Sequence, residues 1–392
     1  MDKQMILPIG PQHPLLKEPV HFKFTIEGET IVDADIRLGY NHRGIEKAAE
    51  DMTYIQSLYM IERICGICSM VHATNFCMAT EEIAKVEVPP RAKYIRIIVA
   101  ELERLHSHLL WLSVAGHEVG FDTLFMVAMR DREVVQDMLE MIGGNRVNYG
   151  INSLGGVRQD ITPGQKDQVL KALKIIEERI GYYAKVATTE STFIGRVSGV
   201  GVLPKEIAHS HGAVGPTARG SGINYDVRRD LPYSGYDTIP FEVITSDLCD
   251  VLGRTIVRVG EIIESVKIIR YALEHLPEGP IQAKVPRRIP VGEAFARYEA
   301  PRGEATQYVR ANGTDKPDRV KVRASTNANL ISIRHTLLNQ QVADIPIIIA
   351  AIDPCLSCTD RTAVIMEDAQ SGNQNILLWK ELRNISLEKH PL

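Results

Sequence analysis

The chain has 392 residues, 44% of them hydrophobic and 24% charged, and a formal net charge of −4. That is the composition of one large globular domain or two ordinary ones, neither disordered nor fibrous. The acidic balance supplies no basic face for nucleic acid, and the strongest apolar run, residues 347–352, is far shorter than the ~20 residues of a membrane-spanning helix.

Residues 21–38 alternate. Phe22, Phe24 and Ile26 share one face, then Val32, Ala34, Ile36 and Leu38 share one, with Glu27-Gly28-Glu29 as a turn between them. The pattern predicts a β-hairpin. Beyond it the period becomes helical. Pro89-Pro90 opens a stretch with Ile95, Ile98, Leu102, Leu105, Leu109 and Leu112 three or four apart. Thr162 and Pro163 read as cap and first-turn proline of a helix carrying Val169, Leu170, Leu173, Ile176 and Ile180. A third long helix is expected over about 247–276, through Val251, Val259, Ile262, Val266 and Ile269. Gly/Pro punctuation falls at Gly143-Gly144, Gly155-Gly156, 212–222 and 286–290. The expected fold class is α+β and predominantly helical, a long-helix bundle with a small N-terminal antiparallel β-sheet.

Most of the chemistry is carried by cysteines. Of six, four form two C-x-x-C pairs far apart in the chain, Cys65 with Cys68 and Cys355 with Cys358. The first residues given, Met1 to Pro8, lack the long apolar stretch of a secretory signal, so metal or redox use is expected to outrank a disulfide framework. A single pair could be a redox dithiol, half a zinc knuckle or two inert buried thiols. Two pairs that only a folded core can bring together make a soft-metal site of four thiolates. Zinc stays open as an alternative, although structural zinc usually takes its pairs from one compact segment. Cys77 and Cys249 lack a partner at ligand spacing and are expected to be buried structural thiols.

The surroundings of the pairs are informative. Glu62-Arg63-Ile64-Cys65-Gly66-Ile67-Cys68 and Asp353-Pro354-Cys355-Leu356-Ser357-Cys358 resemble the two cysteine motifs of nickel–iron hydrogenase large subunits. Gly10-Pro11-Gln12-His13-Pro14, Gly39-Tyr40-Asn41-His42-Arg43-Gly44-Ile45-Glu46, Leu102-Glu103-Arg104-Leu105-His106-Ser107-His108 and Gly215-Pro216-Thr217-Ala218-Arg219-Gly220-Ser221-Gly222 resemble its energy-converting, membrane-bound branch. They also resemble the related large peripheral subunit of respiratory complex I, and Tyr298-Glu299-Ala300-Pro301-Arg302-Gly303-Glu304 extends the match. The complex I subunit lacks the four cysteines and binds quinone where the metals would sit. This chain keeps all four, which favours hydrogenase.

The resemblance implies a nickel–iron centre in which all four sulfurs bind nickel. Cys68 and Cys358 would also bridge to iron, while Cys65 and Cys355 would bind nickel alone. The iron would carry cyanide and carbon monoxide. Cys355 is the expected proton acceptor in dihydrogen cleavage, and Glu18 the carboxylate gate that passes the proton on, with Glu46 a second candidate. Arg323 is placed as the arginine over the metals, and Asp353 as its ion-pair partner or a helix cap. His13, His42, His106 and His108 are read as hydrogen-bonded residues, not ligands. The 212–222 stretch lacks the Gly-Lys-Ser/Thr ending of a phosphate loop, so it reads as a close backbone contact.

The resemblance implies three segments: a β-rich 1–40, a helical metal-centre body 41–361, and a tail 362–392. Arg361 matches the arginine that replaces histidine at this point in the membrane-bound branch, and the family's histidine ligand of a structural magnesium is missing, which leaves that second metal open. The tail is either clipped by an endopeptidase after nickel insertion, removing Trp379 and Ile385, or kept as a docking helix over Leu377-Leu378-Trp379-Lys380-Glu381-Leu382. The implied partners are a small iron–sulfur subunit, other complex I-like peripheral and membrane subunits, and maturation proteins. These would hold the chain at the cytoplasmic face of the membrane. The rival readings are a quinone- or sulfur-reducing subunit and a non-catalytic scaffold with structural zinc.

Overall fold

The structure is a computed structural model that describes residues 4–360, together with 365–367, 374–376, 384 and 388. It is α+β and predominantly helical, with small antiparallel sheets. The N-terminal sheet has three strands, Met5–Ile9, His21–Glu27 and Thr30–Arg37, in that order. The expected hairpin is there, with one departure. A register shift between Thr25 and Ile26 pairs Ile26 with Ile31 and Thr25 with Asp33, leaving Val32 as an extra residue. Ile31 is thereby fully buried beside Phe22, Phe24 and Ile26, while Val32 is only partly so. This face packs on Ile333 and Leu337 of the Ser325–Leu337 helix and on Ile345 and Ile348 of the Ile345–Ala351 helix. The start of the chain thus folds onto the segment that leads into the second cysteine pair.

Four long helices make up much of the rest. Pro90–Glu118 packs against Asp122–Gly143 and Val251–Glu274, and Pro163–Thr189 packs against these last two. Ile95, Ile98, Leu102, Leu105, Leu109 and Leu112 are all buried, as their spacing predicts. Thr162 caps its helix reciprocally with Gln165, and Pro163 takes the first turn. The third predicted helix starts at Val251, because the Asp250 carboxylate caps it by accepting from the Gly253 amide.

A second three-stranded antiparallel sheet, Gly292–Ala300, Gly303–Ala311 and Pro317–Arg323, lies inside the region expected to be helical. Its first strand packs on the Ser69–Ala84 helix. The turn of its first hairpin carries Arg302, and its path is set by two glycines. A Cβ on Gly215 (φ +63°) would lie 2.4 Å from the Gly303 Cα and 2.5 Å from the Arg302 carbonyl oxygen. The 212–222 stretch is therefore a close backbone contact.

Beneath this hairpin lies a network of buried charges. Arg219 pairs with Glu261 and Glu299, Arg228 with Glu101 and Asp226, and Arg104 with Glu101. Arg219 and Arg228 reach carboxylates on elements distant in sequence, and Arg104 donates to the Glu299 and Ala300 carbonyls, so the network fixes register between helices and sheet. Deleting one member would leave an uncompensated buried charge.

Candidate metal centre

The first cysteine loop joins the Tyr54–Glu62 and Ser69–Ala84 helices. Glu103, at the middle of the Pro90–Glu118 helix, ties it down by accepting from the Met70 amide (2.7 Å), the Val71 amide and the Ser69 hydroxyl. A carboxyl at a helix N-terminus meets unsatisfied amides and the positive end of the dipole. Burial pushes the Glu103 pKa up to about 8, with the nearby Cys65 charge adding to the rise.

The second loop follows the Ile345–Ala351 helix and forms one short turn, Leu356–Thr359. The Cys355 amide donates to Thr326 Oγ1 at 3.1 Å, and Thr359 Oγ1 donates back to the Cys355 carbonyl at 2.6 Å. Asp353, in a left-handed conformation (φ 53°), turns the chain into this loop.

The two loops meet. Cys65 Sγ lies 3.3 Å from Cys355 Sγ, and Cys355 Sγ lies 3.0 Å from Cys358 Sγ. These three sulfurs fall within 4.8 Å of one another. Cys68 stands at the same place, its amide 3.4 Å from Cys65 Sγ and its own sulfur 3.4 Å from Arg302 Nη1. All four are buried. The thiols of Cys355, Cys358 and Cys68 hydrogen-bond to Cys65 and hold its pKa well below the usual thiol range. Burial, and then Cys355, Cys65 and Cys68, push Cys358 well above it. Four thiolates brought together in a buried site call for a cation. Four convergent sulfurs with one guanidinium beside them suit a soft metal.

Two residues at the sulfurs were not singled out from sequence. His72 Nε2 is 3.2 Å from Cys358 Sγ, and Gln307 Nε2 holds the His72 carbonyl at 3.0 Å. Arg302 reaches Cys68, Ser107 Oγ (3.3 Å), the Asp353 carboxylate (2.7 Å) and the Asp353 carbonyl (2.7 Å). Burial opposes its charge, but Asp353 and then the sulfurs outweigh that and keep it firmly protonated. Arg323, expected over the metals, is instead about two-fifths exposed and faces Glu304 at 3.6 Å. It ends a strand of the second sheet, whereas Arg302 sits on the turn that the Gly215 crossing presses toward the cysteines. Asp353 does pair with an arginine, and that arginine is Arg302.

The Glu18 carboxylate accepts from the Leu356 amide, the Ser357 hydroxyl and the Ser357 amide (3.2 Å). It shares with Cys355 a cavity of about 290 Å³, whose other walls include Leu16, Val20, Leu110 and Ile349. Glu46 accepts from the Val322 amide at 2.8 Å and faces Lys321. His106 and His108 are buried and have their pKa values depressed by burial, His106 to about 3. His13 and His42 are exposed. Cys77 is fully buried as expected, but Cys249 is partly exposed, at a tight turn with φ 61°. Arg361, Trp379, Ile385 and the segment 377–382 lie outside the described residues. Among the described residues, no helix is long and apolar enough to cross a membrane.

Comparison with known proteins agrees with this geometry. A family profile described as "Respiratory-chain NADH dehydrogenase, 49 Kd subunit" matches residues 118–290 and 285–361, and one described as "Nickel-dependent hydrogenase" matches residues 43–115. The chain is 44% identical to the membrane-bound hydrogenase subunit alpha of Pyrococcus furiosus, over 98% of this chain and 92% of that one. It is 40% identical to the carbon monoxide-induced hydrogenase of Rhodospirillum rubrum, over 91% and 99% respectively. A solved chain of the membrane-bound sulfane sulfur reductase, an archaeal respiratory membrane complex, superposes with a TM-score of 0.87 at 31% identity, covering 91% of this chain and 98% of that one. The chain belongs to the family that unites nickel-dependent hydrogenase large subunits with the 49 kDa subunit of the respiratory-chain NADH dehydrogenase.

Proposed function

We propose that this chain is the catalytic large subunit of a membrane-associated, energy-converting nickel–iron hydrogenase, interconverting dihydrogen with protons and electrons. The observation that carries the reading is the meeting of Cys65, Cys68, Cys355 and Cys358 from opposite ends of the chain. Cys65 and Cys355 would bind nickel alone, and Cys68 and Cys358 would bridge to an iron with cyanide and carbon monoxide ligands. When bound, such a centre supplies the Lewis acidity that polarises dihydrogen for heterolytic cleavage.

The protein's own groups do the rest. Cys355 would take the proton, as a thiolate can. Glu18, on the same cavity and bonded to the turn that carries Cys355, receives it and passes it outward. Arg302 takes the orienting role, its guanidinium fixed by Asp353 so that its charge stays beside the sulfurs. His72 donates to or accepts from Cys358 and tunes its electron density. Electrons leave to a small iron–sulfur subunit. We also infer that the four long helices act as one bundle framing the centre, and that complex I-like partner subunits hold the chain at the cytoplasmic face. Maturation proteins would load the metals.

Elemental analysis of the native, anaerobically purified complex tests this, with hydrogen evolution from a reduced dye assayed on the same sample. Nickel near one per chain with activity supports the reading, and Cys355→Ser should abolish turnover. Zinc in place of nickel would leave the scaffold. The high similarity to a sulfane sulfur reductase favours a second reading: nickel-free complex that reduces polysulfide but evolves no hydrogen would establish it.

A further inference from the structure

The second cysteine turn is held at both ends. Glu18 accepts hydrogen bonds from the Leu356 and Ser357 amides on one side. On the other, Arg43 Nη2 donates to the Ser357 carbonyl at 3.2 Å. The same nitrogen donates to the Ile64 carbonyl at 2.6 Å, and Nη1 donates to the Arg63 carbonyl at 3.2 Å. Ile64 directly precedes Cys65, and Ser357 directly precedes Cys358. One guanidinium therefore bridges the two loops through carbonyls next to a cysteine of each. The backbone helps, since the Asn41 amide donates to the Asp360 carboxylate just past Cys358. Gly44, at φ +66°, makes the turn that leaves Arg43 outside the helix Ile45–Asp51 and free to reach across. A pocket of about 240 Å³ lined by Arg43, Glu46, Asp360 and Cys358 marks the spot.

We propose that Arg43 is a positioning residue, a clasp that sets the separation of the two cysteine loops and slows escape of the metal they hold. Carboxylate on the N–H side and guanidinium on the C=O side grip one turn with opposite charges. Arg43 serves the three carbonyls from two nitrogens held apart in one plane, whereas an ammonium would have to serve them all from a single nitrogen on a flexible stem. The proposal rests on the metal-centre reading above.

The test uses the intact complex, prepared anaerobically as parent, Arg43→Gln, Arg43→Lys and, as a surface control, Arg334→Gln. Nickel loss to excess EDTA is followed over time, beside the nickel EPR spectrum and the melting temperature. The expected result is nickel release about 10-fold faster in Arg43→Gln, of the size seen when groups supporting metal ligands are removed. Its EPR g-values should shift, its melting temperature should match the control, and Arg43→Lys should behave similarly. Release and spectrum like the parent's would overturn the clasp, as would faster release that merely tracks a fall in melting temperature. If the parent holds no nickel, the metal-centre reading fails and the clasp is judged by iodoacetamide alkylation. Cys65 and Cys358 should then react about 10-fold faster in Arg43→Gln, and equal rates would overturn it.

Discussion

The imidazole of His72 lies 3.2 Å from the sulfur of Cys358, although the two residues come from opposite ends of the chain. Cys68 and His72 sit one helical turn apart at the start of the Ser69–Ala84 helix. One short segment thus supplies both a thiol of the first pair and a hydrogen-bond partner for the second. His72→Ala should retain nickel but lower turnover by about 10-fold, as loss of a ligand's supporting partner does. Unchanged turnover with an unchanged EPR spectrum would remove His72 from the mechanism.

Arg302, itself buried, pairs with the part-buried carboxylate of Asp353 next to Cys68. Arg302→Met should destabilise the subunit by up to about 3 kcal/mol, because the largely shielded Asp353 carboxylate is left without its partner. Adding Asp353→Leu should restore most of that stability without restoring turnover. Parallel thermal melts and hydrogen-evolution assays check the split. Recovery of activity in the double variant would mean that Arg302 serves the fold alone.

Glu18→Gln removes a proton acceptor while keeping a side chain that can still accept from the Ser357 amide. Turnover should fall at least about 100-fold, at the low end of what a lost acid–base group costs, with nickel content kept. Deuterium–proton exchange at the centre would slow in step. Exchange at the parent rate would show that the proton leaves by another path.

Glu103 titrates in the opposite direction from most carboxylates in folded proteins. Its pKa is about 8 in the fold against 4.5 for the free group. The folded state therefore holds this proton more tightly than the unfolded one. Its contribution to stability is complete below about pH 4.5 and is lost progressively as pH rises to about 8. Glu103→Gln, which resembles the protonated acid, should flatten that part of the melting-temperature profile. A variant with the parent's slope between pH 5 and 8 would show that other groups control it.

Much of this site could be read from the sequence, because the cysteine spacing is local and metal chemistry is demanding. The long helices were equally legible, since Leu102, Leu105 and Leu109 repeat at helical spacing and all are buried. The second sheet was not. On the Gly292–Ala300 strand the inward positions include Ala294 and Ala296, while Phe295 is half exposed, so the apolar alternation is nearly erased. Arg302 was visible inside a quoted motif, yet its role depends on where the hairpin turn lands. Arg323 looked equally suitable in one dimension. Local spacing does not encode which of two arginines the tertiary fold turns toward the sulfurs.

The crossing of Gly215 and Gly303 has a consequence for how this subunit tolerates change. The two backbones leave no room for a methyl group, since a Cβ on Gly303 would lie 2.4 Å from the Gly215 nitrogen. Any side chain there must lever the hairpin turn away, and Arg302 with it. Gly215 lies outside the two cysteine motifs and touches no sulfur, yet it acts as the fulcrum of the charged arm above them. Variation at such a position would look like a loss of chemistry while its cause was mechanical.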